Sequence, residues 1–158
     1  KPLLVVFGGG HVGTSLLRLA APTGFRTLLL DDRAGDQIPD AVSLASRFVC
    51  IQNVERDILN TPIPEHACFV LCGHDHAVDG EALAAALQKS PKYIGMLASR
   101  QKIQSLFSQL RQRGFTDEQL SFVHTPIGLD LGGETPQELA VGILAQLLLV
   151  KNGQESRG

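Results

Sequence analysis

Gly8-x-Gly10-x-x-Gly13, set between an unbroken apolar run and a stretch of helical character, constrains this chain more than any other feature. Leu3-Leu4-Val5-Val6-Phe7 is apolar at all five positions, the pattern of a strand buried on both faces of a parallel sheet. Residues 14–21 read as the helix after it. Each glycine has its own mechanical reason. Gly8 permits the tight turn, Gly10 lets the backbone approach a pyrophosphate, and Gly13 lets helix and strand pack closely. The N-terminus of that helix offers unpaired N–H groups and a partial positive charge to the phosphate. The bland alternative is a turn that only joins strand to helix.

The second strand narrows the choice. Its apolar run, Arg26–Leu30, ends in Asp31 and Asp32, and Asp31 lies 18 residues past Gly13. That is about the separation expected of a carboxylate that accepts from a ribose 2′-hydroxyl. Such a carboxylate repels a 2′-phosphate, so NAD-like ligands are expected to bind better than NADP-like ones. Arg33 works against this preference, because it could reach a 2′-phosphate.

Further apolar runs predict strands over residues 47–51, 67–72 and 92–97, with a sixth near 121–124. Residues 67–72 are apolar throughout, which predicts a central strand. Helices are expected over 53–59, over about 80–88, and from Ser99 as N-cap to Arg113 before Gly114. A short helix starts at the capping box Thr116–Gln119. The last one is announced by Thr135 as N-cap, Pro136 at its first position and Glu138 completing the box. Residues 33–40 read as a polar loop. Strand and helix alternate, so the expected fold is α/β: a doubly wound, mostly parallel, Rossmann-like sheet in three layers. Its expected order is 3-2-1-4-5 with one more edge strand. Residues 1–150 form one domain in this reading, and 151–158 a polar tail. The missing methionine at Lys1 suggests a segment of a larger parent.

Composition removes several function classes. A net charge of −2 over 158 residues gives no electrostatic reason to expect nucleic acid or an anionic membrane as partner. The longest apolar stretch, 139–150, is too short to span a bilayer, and no signal peptide precedes the first strand. Cys50, Cys68 and Cys72 lie in apolar runs without Cys-x-x-Cys or zinc-like spacing. They read as small buried hydrophobes in a reducing cytoplasm, not as metal ligands. The last helix has a wide apolar stripe, so it is either deeply buried or shared with a second copy of the chain.

In a doubly wound sheet, ligands bind beyond the carboxyl ends of the strands, where the order reverses. The segments leaving those ends are Gly8-Gly9-Gly10-His11-Val12-Gly13, Asp31-Asp32-Arg33, Gly73-His74-Asp75-His76 and Ala98-Ser99-Arg100, joined by His124, Asp130 and Glu134 of a late loop. His11 could line a site or fill the turn, and His124 could serve a site or the core. His74-x-His76 lacks a third ligand at metal-binding spacing, so no metal is assigned. Arg100 at a helix start is an unfavourable place for a cation, which a bound anion would relieve. No nucleophile elbow, Walker lysine or helical zinc motif is present. No residue is assigned a catalytic role.

Four stretches together resemble the successive motifs of the xanthine dehydrogenase accessory factor family (XdhC/CoxI). They are Phe7–Gly13, Gly73–His76, Tyr93–Arg100 and His124–Pro136, and they match the Rossmann domain of that family over nearly the whole chain. The resemblance implies a maturation factor that binds the molybdenum cofactor (molybdopterin or its dinucleotide form), protects it during sulfuration and hands it to the apoenzyme of a molybdenum hydroxylase. A cysteine desulfurase-type sulfur donor is a second implied partner. Ala98 stands where the family usually has glycine, and Gln146 where it often has glutamate. The family's glycine- and cysteine-bearing N-terminal motif is not in this sequence. A pterin–pyrophosphate–nucleotide has a dinucleotide's general shape, which joins this resemblance to the glycine turn. Two alternatives stay open: an NAD(P)-dependent oxidoreductase, with His74 or His124 as the acid, and a nucleotide-sensing regulatory domain.

Overall fold

Six strands, β1 Leu3–Phe7, β2 Arg26–Asp31, β3 Arg47–Cys50, β4 Cys68–Leu71, β5 Tyr93–Met96 and β6 Val123–His124, form one sheet in the order β3-β2-β1-β4-β5-β6. Every pairing is parallel. The computed structural model describes residues 1–154, with the side chain of His76 excepted. Part of the expected polar tail, residues 155–158, therefore lies outside the described residues. The order reverses between β1 and β4, as the alternation of strand and helix predicts.

Among the described residues, seven α-helices connect and cover the strands: α1 His11–Ala20, α2 Pro39–Leu44, α3 Val54–Asn60, α4 His76–Leu87, α5 Arg100–Gln112, α6 Asp117–Ser121 and α7 Pro136–Lys151. Successive strand residues point to opposite faces, and the two cores divide accordingly. Val5 and Phe7 pack on one face with Val54 of α3, Leu83 of α4, Ile103 of α5 and Leu120 of α6. Leu4 and Val6 pack on the other with Leu16 of α1, Ala41 of α2 and Ile143 of α7. Strands β1 and β4 sit between both layers, which is why their sequences need to be apolar throughout.

Three expectations are corrected. The polar loop over 33–40 contains a turn of 3-10 helix at Gly35–Gln37 and runs into α2. That helix has six residues, of which only Ala41 is buried, so its sequence carries no apolar period. Helix α4 starts at His76, before Gly80. A glycine fits inside it because a β-carbon at Gly80 would come within 2.9 Å of Leu106 Cδ2 on α5. Cys50 is exposed, since β3 is an edge strand with only β2 beside it. Of the wide apolar stripe of α7, Ala140, Ile143, Leu147 and Val150 are buried against the α1 layer of their own chain, whereas Val141 is exposed.

Candidate functional site at the switch point

The glycine turn shows which of its glycines the fold requires. Gly8 has φ +112°, its N–H donates to Leu30 O at 2.9 Å, and a β-carbon there would overlap the Cys72 carbonyl. One on Gly13 would overlap the Gly8 carbonyl, and one on Gly9 would press on Ala41 and Ile38 at 3.0 Å. Gly10 is different. A β-carbon on it meets nothing within 4 Å, and its φ of −80° suits any residue. Packing gives no reason for a glycine there.

Gly10 is also the N-cap of α1, and no side chain caps that helix or places an acid in its first turn. Elsewhere the chain caps helices with Asn53, Asp75, Ser99, Thr116 and Thr135. The first-turn N–H groups of α1, on His11, Val12 and Gly13, thus have no side-chain acceptor in the cap. Beside the turn lies a cleft of about 390 Å³ lined by Gly9, Gly10, His11, Thr14, Arg18, Arg33 and Gln137, among others. His11 is exposed at its rim.

Asp31 sits deeper than the spacing argument places it. Its side chain is 1% exposed. Oδ2 accepts from Gly9 N–H and Arg33 Nη2, both at 2.8 Å, while Oδ1 accepts from Arg33 N–H at 2.8 Å and Arg33 Nε at 3.0 Å. Four donors fill a carboxylate's acceptor sites. Burial pushes its pKa up, but the guanidinium and the two backbone N–H groups outweigh burial and hold it below the ordinary value. Asp31 therefore ties the glycine turn to the end of β2, and Arg33 is the residue of the pair that lines the cleft.

Across the mouth, Asp32 Oδ1 and His74 Nε2 lie 2.9 Å apart, which links the ends of β2 and β4 over the glycine turn. Ligand atoms of Asp31, Asp32 and His74 fall within 4.8 Å of one another. A cation bound among them would face the Arg33 guanidinium on Asp31, so the group does not suit a metal.

The β4–α4 turn is satisfied from within. A β-carbon at Gly73 would collide with Asp79 Oδ1 and Phe7 Cε2, at 2.6 and 2.8 Å. Asp75 caps α4 by accepting from Ala77 N–H at 3.0 Å. His76 opens α4, and its side chain lies outside the described residues. Sequence reasoning missed Asp79, which is 2% exposed. Burial pushes its pKa up to about 6, against the Gly73 N–H it accepts from. An acid one turn after an N-cap, inside a segment of small apolar residues, is the signal that could have found it.

Other expected residues lie elsewhere. Ser99 caps α5 through Lys102 N–H and borders a separate groove with Ala77; Arg100 is the exposed first residue of α5. Neither lines the cleft beside the glycine turn. His124 stacks on Tyr93, ring centroids 4.5 Å apart. Gln146 Oε1 accepts from Tyr93 OH at 2.6 Å and from Gly128 N–H at 3.0 Å. Burial pushes the Cys68 and Cys72 thiols up to about 11 and about 12, so neither is a thiolate near neutrality. No helix among the described residues is long and apolar enough to cross a membrane.

A doubly wound parallel sheet with a glycine turn and an uncapped helix at its switch point defines a Rossmann-type domain. Comparison with known proteins gives the family: residues 4–147 match the model of the XdhC Rossmann domain, and the chain belongs to that family. It is 33% identical over 153 residues to the uncharacterized protein YqeB of Escherichia coli, covering 96% of this chain and 28% of that protein. It is 28% identical over 152 residues to a probable xanthine dehydrogenase subunit of Bacillus subtilis, covering 94% of this chain and 42% of that one. A crystal structure described as a xanthine dehydrogenase from Bacillus halodurans superposes with a TM-score of 0.78 at 27% identity, over 98% of this chain and 44% of that one. The chain thus spans less than half the length of each of these relatives.

Proposed function

We propose that this chain is the cofactor-binding domain of a maturation factor for molybdenum hydroxylases, and that it holds a ligand built around a diphosphate. Gly10 carries the reading. It is the one glycine of the turn that packing does not require, and it caps a helix whose first N–H groups have no side-chain acceptor. A diphosphate would accept from those N–H groups and gain from the helix dipole. The molybdenum cofactor in its dinucleotide form and NAD(P) both have that diphosphate. The xanthine dehydrogenase names among the relatives favour a molybdenum hydroxylase as the receiving enzyme; a cysteine desulfurase-type sulfur donor is a further part of the proposal.

The chain's own residues would bind and orient. Gly10, His11, Val12 and Gly13 would hold the diphosphate, and Asp32 with His74 would form the outer rim. When bound, the molybdenum cofactor supplies the redox centre of the hydroxylase; the thiols of Cys68 and Cys72, held protonated by burial, are unsuited to ligate it. Native mass spectrometry of the protein as purified should show an added mass of a diphosphate-containing nucleotide or pterin. The loaded protein, with any N-terminal partner supplied, should restore activity to an apo-molybdenum hydroxylase. Equal transfer by a Gly10→Ser variant would end this reading.

A further inference from the structure

The cleft beside the glycine turn extends past the place a diphosphate would occupy. Its floor follows one face of α1, where His11, Thr14 and Arg18 succeed one another at helical spacing, and its far wall includes Arg33 and Gln137. Two guanidinium groups border it. Arg18 is exposed and makes no hydrogen bond or ion pair among the described residues. Arg33 gives Nε and one Nη to Asp31, which leaves further N–H donors of its five for the cleft. Of the two acids after β2, Asp31 is sealed beneath Arg33, and Asp32 Oδ1 is engaged by His74 Nε2. Asp40 is the one carboxylate in the lining.

We infer that the cleft flanked by Arg18 and Arg33 takes a phosphate monoester on the ribose of a dinucleotide whose diphosphate lies on Gly10. In this fold the residues after β2 face the ribose, and guanidinium groups match phosphate oxygens in charge and geometry. The consequence reverses the selectivity that the Gly13–Asp31 spacing predicts: NADP binds more tightly than NAD. This inference rests on the diphosphate reading of the turn.

Isothermal titration of the whole protein with NAD and with NADP, at matched ionic strength, tests it. NADP should bind about 10-fold or more tighter, the size of a charge-assisted hydrogen bond. Arg18→Gln should weaken NADP by about 10-fold and leave NAD unchanged, Arg18→Lys should restore part of the loss, and Asp40→Asn should strengthen NADP alone. Circular dichroism melts of the variants would separate lost contacts from lost fold. NAD binding as tightly as NADP, or Arg18→Gln weakening both alike, overturns the phosphate compartment while leaving the diphosphate site intact. Failure of both dinucleotides to bind overturns this inference, whereas the maturation-factor reading would still be decided by its own transfer assay.

Discussion

Two strand-to-helix turns lie side by side at the switch point, and they are finished in opposite ways. The β4–α4 turn closes on itself: Asp75 caps the helix, and the space above Gly73 is filled by Phe7 and Asp79. The β1–α1 turn is left open, with Gly10 facing space and no side chain capping α1. Both are glycine-bearing, so composition alone does not separate them. What differs is whether the protein supplies the acceptors for its own helix N-terminus. The unfinished helix end is where the proposed diphosphate would bind.

The largest effect should come from treating the turn's glycines as interchangeable. Gly13→Ala drives a β-carbon into the Gly8 carbonyl. It is expected to cost about 3 kcal/mol or more, as overpacking against backbone does, and the change should appear in urea unfolding. Next comes Gly10→Ser, which finishes the open turn as Ser99 finishes α5. Stability should stay level or rise by a few tenths of a kcal/mol, while affinity for a diphosphate ligand falls by about 100-fold, or about 2.7 kcal/mol. Loss of stability without loss of binding would reverse the assignment of the two turns.

Asp79 sharpens the comparison from the closed side. Its folded carboxyl titrates near 6, against 3.8 ordinarily, chiefly because it is buried. The folded state therefore holds the proton more tightly than the unfolded chain does. That stabilisation is complete below about pH 3.8 and is lost as pH rises through 6. Asp79→Asn keeps an acceptor for Gly73 N–H without the charge. It should stabilise the protein by about 2 kcal/mol at pH 7.5 and by little at pH 4, and a pH series of denaturant midpoints would show it. A constant difference across that range would mean the carboxyl is not titrating there.

The smallest effect belongs to the bridge between the turns. His74 and Asp32 are both partly exposed, so His74→Gln should change stability by less than about 1 kcal/mol. If the domain carries a cofactor, reconstitution of an apo-hydroxylase should be nearly unchanged. A general acid removed from a dehydrogenase would instead cost about 10²–10⁴-fold in turnover, and that loss with binding intact would favour hydride-transfer chemistry.

Local rules made much of this molecule legible from its residues. Strand order followed from the alternation of apolar runs and helices, because parallel strands need crossovers and the first strand must lie inside. The caps at Ser99, Thr116 and Thr135 were readable because capping depends on four consecutive residues. Helix α2 was not, since a helix with one buried residue has no period, and the start of α4 was hidden by a glycine whose reason is a neighbouring helix.

The role of Asp31 lay further out of reach. The apolar run before it placed it at the end of β2, correctly, but neither that run nor its spacing from Gly13 says where the side chain points. Only the folded chain brings Gly9 N–H and the Arg33 guanidinium onto the same carboxylate. Sequence by itself determined the sheet, the switch point and the glycine turn, because each depends on periodicity or on near neighbours. Tertiary structure decided that Gly10 is the open glycine, that Asp31 faces inward, and that Arg18 and Arg33 border one cleft. Those facts depend on which atoms, distant along the chain, fill or leave vacant the same few ångströms of space.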